Sequence, residues 1–553
     1  MEIKIYRILP LVLSFCLLFS CSKPQTPNSD QTPASVGQFE SSGEINMAFV
    51  QNDTLSPYEA KTKSNQEISR LMYDGLIRLD ENFEPVYVLA SDIAVDGKSV
   101  TVTINSYARF TDGKNVSADD VVYSISAAKN AAESKYCAKL ENVTGYSAKD
   151  SSTLELTLKN TDEYVVRLLD FPVFEKETEK QVNADNKSVP PVGSGRYIFI
   201  QENDKYYLKS NSDWIGGRVN IAKINLINLP DDDAIKHGTS VGSVDVYYSD
   251  LSQNDIPTMK GTTLPVVLHN LVYLGVNTSS GILSDENLRR CVSAAIDREE
   301  ITNSVYFGYA TAAKGLFHSN LAELSGLQTI NTSRDTESAS AYLKNAGYVK
   351  EQAGDLALNS RQKGINLTLV YNSENNARLL LATKISEYLK SAGIQVTLKG
   401  LPFDEYTAAI QYHSYDLYIG EIKIPDNLDA YSLATAGGLL TISFSSDAQD
   451  ESQIGSETSG NQQTPSDSSD VDADTVQGET GQKRVSLEEA LYKMHNGNGS
   501  VAEVLSCLNE QMSIIPICHR KGLVIYSDKI SDGLSPVPDD PFNGIENCTA
   551  LSN

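Results

Sequence analysis

The sequence is poor in the features that mark most chemistries. Tryptophan occurs once, at Trp214, and the seven cysteines form no CxxC pair. Cys16 and Cys21 lie in the N-terminal segment, which leaves Cys137, Cys291, Cys507, Cys518 and Cys548, an odd set. Such a set implies neither a zinc site nor a closed disulfide framework, and small buried apolar thiols are the reading that remains. The six histidines, at 237, 269, 318, 413, 495 and 519, follow no HExxH or paired-ligand spacing, so no metal site or cofactor is indicated. Gly97-Lys98-Ser99 has the ending of a phosphate-binding loop, but Asp92 stands where that loop needs its first glycine. The chain therefore shows no ATP site of its own.

One enzyme motif is present. Gly238-Thr-Ser240-Val-Gly242 matches G-x-S-x-G and would make Ser240 the nucleophile of a secreted serine hydrolase. That elbow needs an apolar strand before the serine and a helix after it. Here the polar stretch Asp231 to His237 precedes it and a strand, Val244 to Tyr248, follows, so the hydrolase stays a remote alternative and the chain reads as a non-enzyme.

Positive charge is also short. Forty-six Lys and Arg stand against 72 Asp and Glu, a net charge of −26, which argues against nucleic acid because its phosphates would be repelled. After the N-terminus no run is apolar for the roughly 20 residues a membrane-spanning helix needs.

The N-terminus itself is informative. Two basic residues, Lys4 and Arg7, precede an apolar run from Ile8 to Phe19, which reads as a secretory signal over residues 1–20. Leu18-Phe19-Ser20-Cys21 resembles the bacterial lipobox, in which the cysteine is lipidated and becomes the mature N-terminus. Cys21 is then the expected anchor to the outer, extracytoplasmic face of the cell membrane; the alternative is an ordinary signal peptide in which Cys21 is incidental. Residues 21–42, rich in Pro, Gln, Thr and Ser, read as a flexible tether.

The body alternates short strands and helices, which points to α/β architecture. Gly43 to Val50 reads as a strand, Ile68 to Gly75 as a helix ended by glycine, and Val100 to Ile104 as a half-buried strand. Ser117 is placed to cap a helix whose first turn carries Asp119 and Asp120. Asn366 to Val370, Ala377 to Ala392 and Ile394 to Leu398 read as a βαβ unit with Gly393 as its breaker. Residues 445–484 carry acidic side chains among Ser, Gln, Thr and Gly, with no basic residue until Lys483, and read as a disordered insertion. Ordered sequence resumes at Val485-Ser-Leu-Glu-Glu with a capping-box start.

Several segments, in order, resemble the extracellular solute-binding proteins that include oligopeptide, dipeptide and nickel binders. Asp285-Glu-Asn-Leu-Arg-Arg-Cys-Val-Ser-Ala-Ala-Ile-Asp-Arg-Glu-Glu-Ile301 is similar to the family's D-x-x-V-R-x-A-x-x-x-A-I-D-R-x-x-I helix, with Asn277 upstream. Phe110 to Tyr123, Pro191 to Tyr197, Trp214 to Gly217, Tyr342 to Tyr348 and Leu389 to Ile394 match further family segments, and together they cover most of residues 43–440.

The resemblance implies a two-lobed periplasmic-binding-protein-like fold of the large type, with an extra subdomain and a hinge of crossing strands. Lobe I is expected from 43–75, 190–270 and 485–553, the subdomain from 76–189 and lobe II from 271–444. It implies a monomer that captures a short peptide between closing lobes and passes it to an ABC permease and separate ATPase subunits. A chelated metal, an oligosaccharide or a signalling peptide on the same fold is the alternative. The implied cleft residues are Val50, Gln51 and Asn52 after the first strand, Tyr273 and Asn277 after the first crossing, Phe317, and Asp416, Glu421, Lys423, Asp426 and Tyr431. The Trp and acidic residue that hold a peptide amino group in the family are absent at their usual spacing, and Glu421 or Asp426 is the candidate substitute.

Overall fold

The computed structural model describes residues 43–434 and 485–551, apart from 182–188, 253–259, 280 and 353–354. The signal segment, the tether, Cys21 and the acidic insertion lie outside the described residues.

The alternating apolar segments assemble into one eleven-stranded mixed sheet. Its strands are β1 (Glu44–Phe49), β2 (Tyr197–Glu202), β3 (Lys205–Ser210), β4 (Lys223–Asn228), β5 (Val246–Ser249) and β6 (Thr262–Val276), followed by β7 (Ala310–Ala312), β8 (Ile365–Asn372), β9 (Ile394–Leu401), β10 (Leu417–Lys423) and β11 (Ile514–Tyr526). The order across it is β9-β8-β10-β6-β11-β5-β1-β4-β3-β2, with β7 paired to β11. β1 pairs in parallel with β4 and β5 and forms lobe I; β8 pairs in parallel with β9 and β10 and forms lobe II.

Two long strands join these halves. β6, of 15 residues, and β11, of 13, pair antiparallel along their length. β11 holds β5 of lobe I through Leu523 to Tyr526, while β6 holds β10 of lobe II through Asn270 to Val276. Their register slips between Val267 and Leu271 and again between Val272 and Tyr273. A bulge there bends the strands and adds twist where the chain passes from one lobe to the other.

The βαβ unit forms as its pattern predicts. Asn375 caps the helix Asn376–Ser391 by accepting from the amides of Ala377 and Arg378, and Gly393 follows it with φ +92°. Leu381, Ile385 and Leu389 on its inner face are fully buried, each stabilising by roughly 1.5–3 kcal/mol. The extra subdomain is a four-stranded antiparallel sheet of Ala90–Asp96, Ser99–Ile104, Thr153–Leu158 and Val143–Ala148. Helix Ala118–Asn130 opens on a capping box in which the Ser117 amide donates to Asp120 Oδ2 at 2.9 Å.

Two expectations need correction, and one motif set aside in the sequence takes its place in a helix. The helix read at Ile68 to Gly75 is instead Lys63–Ser69, because Gly75 is needed for packing: a Cβ there would meet the Asp170 carbonyl carbon at 2.7 Å. The helices Leu487–His495 and Val501–Gln511, assigned to lobe I, pack on lobe II. Arg289 Nε donates to Gln511 O at 2.6 Å, and Asn509 Nδ2 donates to Gln328 O at 2.9 Å. Ser240 ends the helix Asp232–Ser240 and donates its hydroxyl back to Lys236 O, so the G-x-S-x-G match is a helix end rather than a strand-to-helix elbow.

Candidate functional site

The lobes and the subdomain meet at a buried cluster of charge. The short helix Lys135–Lys139 of the subdomain delivers Lys139, whose Nζ lies 2.5 Å from Asp170 Oδ1 and 2.7 Å from Asp426 Oδ2. Asp539, from the chain after β11, stands 3.9 Å from the same ammonium. One oxygen from each of the three carboxylates lies within 4.8 Å of the others, the spacing of a cation cradle, and the cation nearest them is the chain's own lysine. Lys135 at 3.0 Å, Lys423 at 3.6 Å and Arg70 at 3.7 Å reach Asp539 Oδ1 from the other side.

Burial and charge oppose each other here. Burial alone would lower the Lys139 pKa, but Asp170 and Asp426 outweigh it and hold the ammonium above its ordinary value. Burial likewise disfavours the Asp426 carboxylate, yet Lys139 and the neighbouring His269 hold its pKa below the usual range. His269, 3% exposed, lies with Nδ1 3.2 Å from Asp426 Oδ1, and burial pushes its pKa down against the raising effect of that carboxylate. We read it as a neutral imidazole beside a carboxylate. The ring of Phe83 stacks on it at 3.5 Å, and His318 and His519 continue the buried imidazole row.

A second network sits on the hinge. Glu421 of β10 accepts from Arg520 Nε of β11 at 2.6 Å and from Asn270 of β6 at 2.9 Å, and it pairs with Arg378. Burial would raise its pKa, but the two guanidiniums leave it lowered. Arg520 also donates to Asp250 O at 2.6 Å, so this network crosses to lobe I.

The implied cleft residues divide by position. Lys423 and Asp426 converge on the charged junction, and Glu421 anchors the hinge network one strand step away. Val50 is 8% exposed, and Asn65 ties both its N–H and its C=O at 2.9 Å; Gln51 donates to Tyr206, and Asn52 is exposed. Tyr273 shares a hydrogen bond with Tyr418 inside the core, Asn277 donates to Tyr415 O, and Phe317 is fully buried. Asp416 accepts from the Thr368 amide at 2.7 Å, and Tyr431 packs against His495 and Tyr492. Lys139, Asp170, Asp539, Arg70 and His269 escape sequence reading. They come from five separate segments, and no spacing announces that they meet.

Polar contacts also close the subdomain onto lobe II. Asn427 Nδ2 donates to Asp162 Oδ2 at 2.7 Å, and Arg167 Nη2 donates to Glu323 Oε1 at 2.7 Å. Beside the junction a cavity of about 540 Å³ is lined by Tyr58, Gln66, Arg70, Lys135 and Tyr136, and another of about 300 Å³ by Arg70, Asp170, Trp214 and Asp539. Trp214 donates from Nε1 to Asp74 Oδ2 at 3.1 Å, which fixes it as part of the frame.

A sheet halved by two crossing strands, with polar contacts joining its parts, is the architecture of a two-lobed solute-binding protein. Residues 83–438 match the family described as "Bacterial extracellular solute-binding proteins, family 5 Middle", and the chain belongs to that family of solute-binding proteins. The oligopeptide-binding protein AppA of Bacillus subtilis (strain 168) is 26% identical over 423 residues, 72% of this chain and 75% of that protein. The periplasmic murein peptide-binding protein MppA of Escherichia coli (strain K12) is 21% identical over 427 residues, 70% of this chain and 77% of that protein. Among solved structures, an ABC transporter substrate-binding protein from Sinorhizobium meliloti superposes with TM-score 0.69 at 18% identity, over 92% of this chain and 100% of that one.

Proposed function

We propose that this protein captures short peptides outside the cytoplasm and presents them to an ABC permease driven by separate ATPase subunits, held at the outer face of the membrane by a lipid on Cys21. The observation that carries capture is the joining of three chain regions at the Lys139–Asp170–Asp426–Asp539 junction, because a solute touching more than one of them favours the closed form. The relatives named as oligopeptide-binding and murein peptide-binding support peptide as the solute. A peptide backbone that pairs with the end of β1 must displace the Asn65 side chain from Val50, so the ligand edge is preformed but capped.

Thermal unfolding of the chain against short peptides, with nickel, haem and oligosaccharides as controls, tests this. A ligand bound only by the folded state at a hundred times its dissociation constant adds about 2.7 kcal/mol. Peptide-only shifts support the proposal; a shift with one control alone replaces the solute and keeps the fold. Membrane release of a Cys21→Ser variant in cells checks the anchor.

A further inference from the structure

The charged junction is balanced from within. Lys139, Lys135, Lys423 and Arg70 set four cations against the three carboxylates Asp170, Asp426 and Asp539. The buried Glu67 carboxyl also faces Arg70 and Lys135, so the four cations meet four acidic groups and the junction is matched in charge. Both cavities beside it are lined by Arg70, whose Nη2 is buried without a hydrogen bond. His269 Nδ1 lies 3.2 Å from Asp426 Oδ1, and its Nε2 is buried without a hydrogen bond.

These facts bear on which end of a solute the junction can receive. A free peptide amino end is an ammonium, and a carboxylate cradle is what would bind it. Here Lys139 already occupies that cradle at 2.5 and 2.7 Å. An incoming ammonium either adds a cation to a group whose carboxylates are already matched or expels Lys139 from its two partners. An acylated amino end carries no charge and offers a carbonyl oxygen, for which Arg70 Nη2, which makes no hydrogen bond although it lies 3.7 Å from Asp539 Oδ1, is a donor.

We propose that Lys139 determines head-group specificity: it stands in for the ligand's ammonium, so the site selects peptides whose amino terminus is acylated. The inference rests on the peptide-capture reading above. Its test is calorimetric titration of the full chain with pairs of peptides of one sequence, free and N-acetylated. Wild type is compared with K139M and with K139M/D426N, which removes one charge of each sign, after circular dichroism has confirmed that each variant is folded.

Wild type is expected to bind the acetylated member at least tenfold more tightly. K139M should shift that ratio at least tenfold towards the free amine, because the cradle is then empty, and K139M/D426N should lose most of that shift. A wild-type preference for the free amine, or a ratio unchanged in K139M, overturns the inference and leaves peptide capture standing. Failure of both peptide forms to bind overturns peptide capture and this inference with it.

Discussion

Lys139 Nζ lies 2.7 Å from Asp426 Oδ2, and this ion pair joins a five-residue helix of the subdomain to the loop after β10. The two side chains are 11% and 6% exposed. A pair so enclosed adds little net stability when whole, but removing one partner leaves an uncompensated buried charge.

Lys139→Ala should therefore destabilise the protein by about 3–5 kcal/mol. Urea unfolding of the variant reads this as a lower midpoint. The double variant K139M/D426N should recover at least half of the loss; equal loss in both would mean that packing, not charge, sets the cost.

The pairing of the crossing strand β6 with β10 depends on two glycines. A Cβ at Gly275 would fall 1.8 Å from the Tyr418 ring, and one at Gly420 would fall 2.5 Å from the Tyr273 ring. The two tyrosines are themselves joined through their hydroxyls. Gly275→Ala should cost about 1–3 kcal/mol or more, since overpacking forces rings off their rotamers. A Gly97→Ala control, at a turn with φ +58° and open space around it, reads backbone strain without clash, whereas Gly275→Ala reads clash without a positive φ.

Acid should destabilise the protein in two steps. Burial, with His519 and His269 nearby, pushes the His318 pKa down to about 2, and burial pushes His519 down to about 3. The groups facing His318 also include Lys521 and the Phe83 ring, and none of these offers a negative charge to a protonated imidazole. The unfolded imidazole takes its proton near pH 6.5, so stability from these groups is complete above that pH. It falls as pH drops, by up to about 1.4 kcal/mol per pH unit for each histidine. Asp426 and Asp539, whose pKa values are lowered, add a further loss below about pH 4. Melting temperature measured from pH 8 to pH 3 should decline from near 6.5, and His318→Phe should flatten the upper part of that decline.

Ser240→Ala should change neither solute affinity nor stability beyond about 0.5 kcal/mol, because the hydroxyl is exposed at a helix end and donates only to its own helix. Titration and melting of the variant check this, and lost binding would reopen a role for Ser240.

Local order was legible where it depends on neighbours in the chain. Ser117 and Asn375 announce helix starts, Gly393 a helix end, and the alternating Val100 to Ile104 segment a half-buried strand, and each forms as read. The helix placed at Ile68 to Gly75 failed because its glycine answers to the distant Asp170 carbonyl rather than to a helix terminus. The helices Leu487–His495 and Val501–Gln511 were assigned by chain position, whereas Arg289 and Asn509 tie them to lobe II.

Among the candidate site residues, Lys423 and Asp426 were found because the family-like segment around Tyr415 drew attention to them. Their partners Lys139, Asp170 and Asp539 carry no motif. Amphipathic period, capping chemistry and the ordered series of family-like segments determined the two-lobed α/β architecture, because each acts over a few residues of chain. Only the tertiary structure decided that Asp426 faces Lys139 and that Asn65 caps Val50. Charge pairing and desolvation act between atoms a few ångströms apart in space, whatever their separation in sequence.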